Sequence, residues 1–161
     1  MIRFTADSLD MVPESLVRSP LLEGVLIAER NVFFRSLRHM RVDAGTCLYA
    51  QGDPGDTLYI VVDGEVTMTH LTGSDEEVEL DRAAEGDVFG EMAVLSPSSR
   101  AATATTTMAT DLLILTRSQF KRLLEAREPC SEALLRYATR RICRRLREMD
   151  ARIDLAHEVA S

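Results

Sequence analysis

Asp87-Val88-Phe89-Gly90-Glu91-Met92-Ala93-Val94-Leu95-Ser96-Pro97-Ser98-Ser99-Arg100-Ala101-Ala102-Thr103 carries the most specific chemistry in this chain. A strand ends at Phe89, and Gly90 permits close backbone approach and an unusual dihedral. Glu91 to Leu95 is long enough for one helical turn, which Pro97 stops. Ser96, Ser98 and Ser99 make a loop, and Arg100 opens a new strand. A helix N-terminus presents unpaired N–H groups and partial positive charge, the ingredients of an anion site. A guanidinium returning beside it adds forked, charge-assisted hydrogen bonds. Glu91 is an acceptor, badly placed for a phosphate and well placed for sugar hydroxyls. Together these groups describe a ligand with a single phosphate and a free ribose hydroxyl.

Around this stretch, residues 39–117 hold seven of the eight glycines, which punctuate short strand-forming segments. Leu58 to Val62 reads as a buried strand. Val66, Met68 and His70 alternate with polar residues, as do Val78 and Leu80, and Leu112 to Leu115 is a further apolar strand. Many short strands with glycine turns point to a sandwich or barrel, and one continuous span makes a single β-roll. Residues 18–38 read as two short helices, starting at Ser19-Pro20 and interrupted by Gly24. Ser118 is the expected N-cap of a helix that Pro129 breaks. Beyond it, Leu135, Ala138, Ile142, Leu146, Met149, Ile153 and Ala156 approach a heptad seam. The expected fold is α+β: an antiparallel β-roll, flanked by N-terminal helices and a long C-terminal helix. One domain is expected over 18–161, after an extension at 1–17.

Phe89-Gly90-Glu91-Met92-Ala93, a loop, then Arg100-Ala101-Ala102-Thr103 resembles the phosphate-binding cassette of the cyclic nucleotide-binding domain family. The step of ten residues from Gly90 to Arg100 matches the kinase regulatory pattern of that family. Ala44-Gly45 through Gly52-Asp53-Pro54-Gly55-Asp56 to Asp63-Gly64-Glu65-Val66 resembles its glycine-marked, double-stranded jelly roll. The resemblance covers about residues 18–150. It implies that the backbone N–H groups of Met92 and Ala93 hold a cyclic phosphate and that Arg100 pairs with its exocyclic oxygen. Ala101 adds a backbone N–H, and Ala102 counts among the ligand-binding positions. Glu91 accepts from the ribose 2′-hydroxyl and Gly90 lets the sugar approach. Val62 and Leu80 fall where apolar contacts to the base are found, and Tyr137 or Leu134 would cap it. Family members that favour cyclic GMP often carry Thr or Ser after the Arg. Ala101 stands there, so cyclic AMP is expected over cyclic GMP, by a hydrogen bond's worth of roughly 1–2 kcal/mol.

The chain of 161 residues carries 19 basic and 26 acidic side chains, a net charge of −7, which disfavours a whole-surface nucleic-acid binder. No apolar run approaches the ~18 residues of a membrane helix, and no secretory signal is read, so a cytoplasmic location is expected. Cys47, Cys130 and Cys143 are scattered, as are His39, His70 and His157, so no metal site is signalled. No nucleophile–base–metal set points to an enzyme.

Arg136, Arg140, Arg141, Arg144, Arg145 and Arg147 crowd the C-terminal helix. They read as a solvated face balanced by Glu148, Asp150 and Asp154, with Glu148–Arg152 at the favourable i,i+4 order. The seam over 131–156 can pack on its own β-roll or against a second copy, and the resemblance favours a homodimer. No helix-turn-helix follows the helix, so a stand-alone sensor or a piece of a longer protein is expected, acting on an effector in trans. The expected mechanism has ligand tightening the turn at Glu91–Leu95, where inward-facing Met92, Val94 and Leu95 shift the helices of 118–160. Two alternatives remain: a vestigial-site adaptor or dimerisation module that binds protein, or a regulator whose Arg-rich helix contacts nucleic acid. Equally, Glu91 and Arg100 can be read as a structural salt bridge.

Overall fold

Leu58-Tyr59-Ile60-Val61-Val62 is apolar at every position because its strand is buried on both faces. Leu58, Ile60 and Val62 belong to one core cluster, Val61 and the half-buried Tyr59 to another. Leu112-Leu113-Ile114-Leu115 divides in the same way: Leu113 and Leu115 join the first cluster, Leu112 and Ile114 the second. Two cores therefore share one sheet, the first between sheet and helices, the second inside the roll.

The structure, a computed structural model, describes residues 2–4 and 12–159. Its strands are β1 Ile2–Phe4, β2 Arg38–Val42, β3 Cys47–Tyr49, β4 Pro54–Gly55, β5 Thr57–Asp63 and β6 Glu65–Leu71. They continue as β7 Glu77–Ala84, β8 Val88–Phe89, β9 Ser98–Ser99, β10 Thr103–Thr106 and β11 Thr110–Thr116. One sheet has the order β1-β2-β11-β5-β8, a second β3-β10-β6-β7, and a two-stranded ribbon pairs β4 with β9. The described pairings are all antiparallel. The fold is α+β, as expected.

The helices are α1 Glu14–Arg18, a 3-10 turn Pro20–Leu22, α2 Ile27–Ser36, α3 Met92–Leu95, α4 Arg117–Glu125 and α5 Pro129–Val159. Val12, Leu16 and Val17 are buried in the helix-facing core, so α1 straddles the expected boundary at residue 18 and its face is part of the packing. Two local expectations change. The cap of α4 is Thr116, not Ser118. Its hydroxyl accepts from Gln119 N–H, and the Gln119 side chain accepts in return from Thr116 N–H. That reciprocal box outcompetes the hydroxyl two residues on. Ser98–Ser99 is also a short strand rather than loop, and the strand after Arg100 starts only at Thr103.

α5 begins packed and is more exposed in its later turns up to Ile153. Cys130, Ala133, Leu134 and Ala138 are buried, whereas Leu146, Met149 and Ile153 are exposed. Ala156 lies where no side chain is described.

Candidate functional site

The chain returns twice to one hollow at the mouth of the roll. β8 delivers Phe89, Gly90 and Glu91, and α3 delivers Met92 and Ala93. β9 and the segment that follows it bring Ser99, Arg100, Ala101 and Ala102 back beside them, and Tyr49, Met68 and, from α5, Arg141 and Arg145 complete the lining. Gly90, Glu91, Met92, Ala93, Arg100, Ala101 and Ala102 are thus brought together around one cavity.

Arg100 is 7% exposed, yet no described carboxylate pairs with it. Its Nη1 donates to the Thr57 carbonyl at 2.9 Å and more weakly to that of Gly90 at 3.5 Å, while Nε is buried without a partner. Two glycines make the room. A Cβ on Gly55 would lie 2.7 Å from Arg100 Nε and 2.9 Å from the Ala93 Cβ, and one on Gly90 would lie 2.8 Å from Arg100 Nη1. Gly90 also has φ +73°, a conformation that side-chain-bearing residues avoid. A buried guanidinium without an anion is costly, and it is the feature an anionic ligand relieves.

Glu91 is only 2% exposed and its Oε1 has no hydrogen-bond partner. The structural salt bridge to Arg100 does not form. The cation nearest Glu91 is Arg145 of α5, with Nη1 3.8 Å from Oε1, too long for a hydrogen bond. One turn earlier, Arg141 bonds Asp81 at 2.8 Å and faces Asp87 at 3.7 Å. Burial pulls the Arg141 pKa down, but Asp81, Glu91, Tyr137 and Asp87 outweigh it and leave the pKa raised. Arg140 reaches Glu23 at 3.0 Å. The arginines of α5 are therefore not all a solvated face: Arg141 and Arg145 turn in toward their own chain, whereas the Arg140–Glu23 pair is exposed. Glu148 pairs with Arg144, four residues earlier, at 3.8 Å, rather than with Arg152.

Other expectations are redistributed. Val62 lies in the helix-facing core, outside the hollow. Strand residues alternate in face, so Val61 and Tyr59 take the inward direction. Leu80 does not line the hollow either. The β6–β7 register slips between Met68 and Thr69, leaving Leu80 as the extra residue of a bulge, 36% exposed. Met92 points outward at 45% exposure, whereas Val94 is buried and Leu95 packs partly against the core. The Ala93 N–H turns back onto the Gly90 carbonyl at 3.2 Å. Of the proposed base caps, Leu134 is fully buried in the core, and Tyr137 packs beside it without lining the hollow. Sequence reasoning missed Tyr49, Gly55, Arg141 and Arg145. Only the i,i+4 spacing of the two arginines hinted at a shared direction.

The model of the cyclic nucleotide-binding domain matches residues 39–127. The chain belongs to the cyclic nucleotide-binding domain family. A "CRP-like cAMP-activated global transcriptional regulator" of Mycobacterium tuberculosis is 29% identical over 131 residues, 81% of this chain and 58% of that protein. The "Cyclic AMP receptor protein" of Thermus thermophilus is 32% identical over 139 residues, 85% of this chain and 62% of that one. The regulatory domain of Toxoplasma gondii PKA, solved with cAMP, is 34% identical with a TM-score of 0.60, over 69% of this chain and 42% of that one. The chain thus spans about three-fifths of the length of these curated relatives. Among the described residues there is no cluster fit for a metal ion and no helix long and apolar enough to cross a membrane.

Proposed function

We propose that this chain is a cyclic AMP sensor module whose α5 responds to the ligand and regulates a partner protein in trans. The observation that carries the reading is Arg100: a buried, full positive charge, unmatched by any described carboxylate, facing a cavity whose other wall is the buried carboxylate Glu91. A cyclic nucleotide supplies the missing anion to Arg100, and its ribose 2′-hydroxyl donates to the unpartnered Glu91 Oε1. Ala101 offers guanine no hydroxyl, which favours adenine. The names of the relatives are in keeping with cyclic AMP.

A hydroxyl bonded to Glu91 weakens the hold of Glu91 on Arg145, and α5 beyond Arg141 is where the helix is least packed. The ligand moves α5 only by its differential affinity for the two positions of the helix. Calorimetric titration with cyclic AMP and cyclic GMP tests the assignment. Saturable binding of cyclic AMP, tighter than cyclic GMP and lost in Arg100→Ala, is expected. No binding of either nucleotide overturns it and leaves the adaptor reading.

The exposed row Leu146, Met149 and Ile153 supports a second element, pairing of two chains along α5. Sedimentation should give a dimer that Leu146→Glu dissociates. A monomer at all concentrations removes this element.

A further inference from the structure

We propose that Tyr49 is the positioning residue for Arg100: its ring, in place of a carboxylate, holds the guanidinium where the anion is received. The Arg100 Cζ lies 4.0 Å from the centroid of the Tyr49 ring, close enough for a cation–π contact, and 5.9 Å from that of Tyr59. The guanidinium also donates to the carbonyls of Thr57 and Gly90, in space where a Cβ on Gly55 or Gly90 would collide with it.

Tyr49 is itself braced. It sits at the end of β3, opposite Ala104 of β10, with ring centroids 6.0 Å from Tyr59 and 6.3 Å from Phe89. Tyr59 and Phe89 stack on each other at 5.0 Å. Burial raises the Tyr49 phenol well above its ordinary pKa, against the opposing pull of Arg100, so the ring is neutral across the working range.

The arrangement has a chemical consequence. A carboxylate would orient Arg100 but cancel its charge before the ligand arrived. A π face orients the guanidinium through its quadrupole and leaves the net charge intact for a phosphate. Tyr49 therefore influences binding through Arg100, although it also lines the cavity.

The inference rests on the nucleotide reading for one of its two tests. In the first, Tyr49→Phe and isosteric Phe analogues with one, two and three ring fluorines are titrated with cyclic AMP. Fluorine drains the π face without changing shape. Tyr49→Phe should bind within about twofold of the parent, and affinity should fall stepwise to about tenfold weaker at three fluorines. A flat series overturns the proposal. The second test needs no ligand. The melting temperature of the free chain should fall along the same series, and should not in an Arg100→Met background. Equal slopes in the two backgrounds overturn the proposal. Failure of the parent chain to bind any nucleotide would sink the sensor reading alone, because the second test still judges Tyr49.

Discussion

Arg100→Met separates binding from stability. Methionine matches arginine as a long, unbranched side chain and carries no charge. The substitution removes a charged hydrogen bond to the Thr57 carbonyl, worth about 1.5–3 kcal/mol. It also removes the contact with the Tyr49 ring, worth about 0.5–2 kcal/mol. Against these stands relief from burying a guanidinium that no described carboxylate offsets, a penalty of several kcal/mol per ion. Even buried ion pairs, when replaced by apolar residues of similar volume, are typically neutral to about 1–4 kcal/mol more stable, and a lone buried ion lacks the pair's compensating attraction. The free Arg100→Met chain should therefore lie between unchanged and about 2 kcal/mol more stable. At this size that is a gain of at most roughly 8 °C in melting temperature. The ligand response should go the other way. Cyclic AMP at about 100 times its dissociation constant adds about 2.7 kcal/mol to the parent chain and should add nothing to the variant. Paired denaturation curves, with and without nucleotide, measure both. A free variant weakened by about 3 kcal/mol would mean that Arg100 is primarily a structural tie, and the reasoning from an unmatched charge would fall.

Gly55→Ala should destabilise by about 1–3 kcal/mol, because its Cβ would press on Arg100 Nε at 2.7 Å and on the Ala93 Cβ at 2.9 Å. The share of that loss owed to Arg100 should disappear in an Arg100→Ala background while the share owed to Ala93 remains, a partial non-additivity that a double-mutant cycle reads directly. Arg145→Gln should speed hydrogen exchange in α5 beyond residue 145 while leaving residues 130–141 protected, and uniform exchange along the helix would remove the role given to the Arg145–Glu91 pair. The pKa values of Tyr49, Tyr59 and Tyr137 are all raised from 10.0, first of all by burial. The folded chain holds these protons where the unfolded chain has lost them. The resulting stability is complete below pH 10 and declines as pH rises through the folded values. With no tryptophan to interfere, tyrosinate absorbance should appear at higher pH in native than in denatured protein.

The candidate site was read from one short stretch, and the fold brings Gly90, Glu91 and Arg100 of that stretch to one cavity. The faces of β5 were not legible: Leu58 to Val62 is apolar throughout, and a run without alternation does not say whether Val61 or Val62 points inward. Leu80 was misplaced for a related reason, since a bulge shifts the pattern by one residue without a mark in the sequence. Tyr49 and Gly55 precede Arg100 by about fifty residues, and only the tertiary register makes one a platform and the other a gap. The arginines of α5 were visible as a crowd. Their acidic partners, Glu23, Asp81, Asp87 and Glu91, come from distant segments that fold beneath the helix.

Arg117, the first residue of α4, donates from Nε to the carbonyl of Ala93 at 2.7 Å and from Nη2 to that of Gly55, while its own N–H reaches the carbonyl of Asp56 at 2.6 Å. One side chain thus rivets the tiny helix of the cassette, the ribbon that walls in Arg100, and the root of the helical pair. Displacement of α3 by even a fraction of an ångström must be carried into α4 or break a hydrogen bond. In the proposed sensor reading this side chain gives α3 a direct tie to α4, beside the Glu91–Arg145 contact that leads to α5.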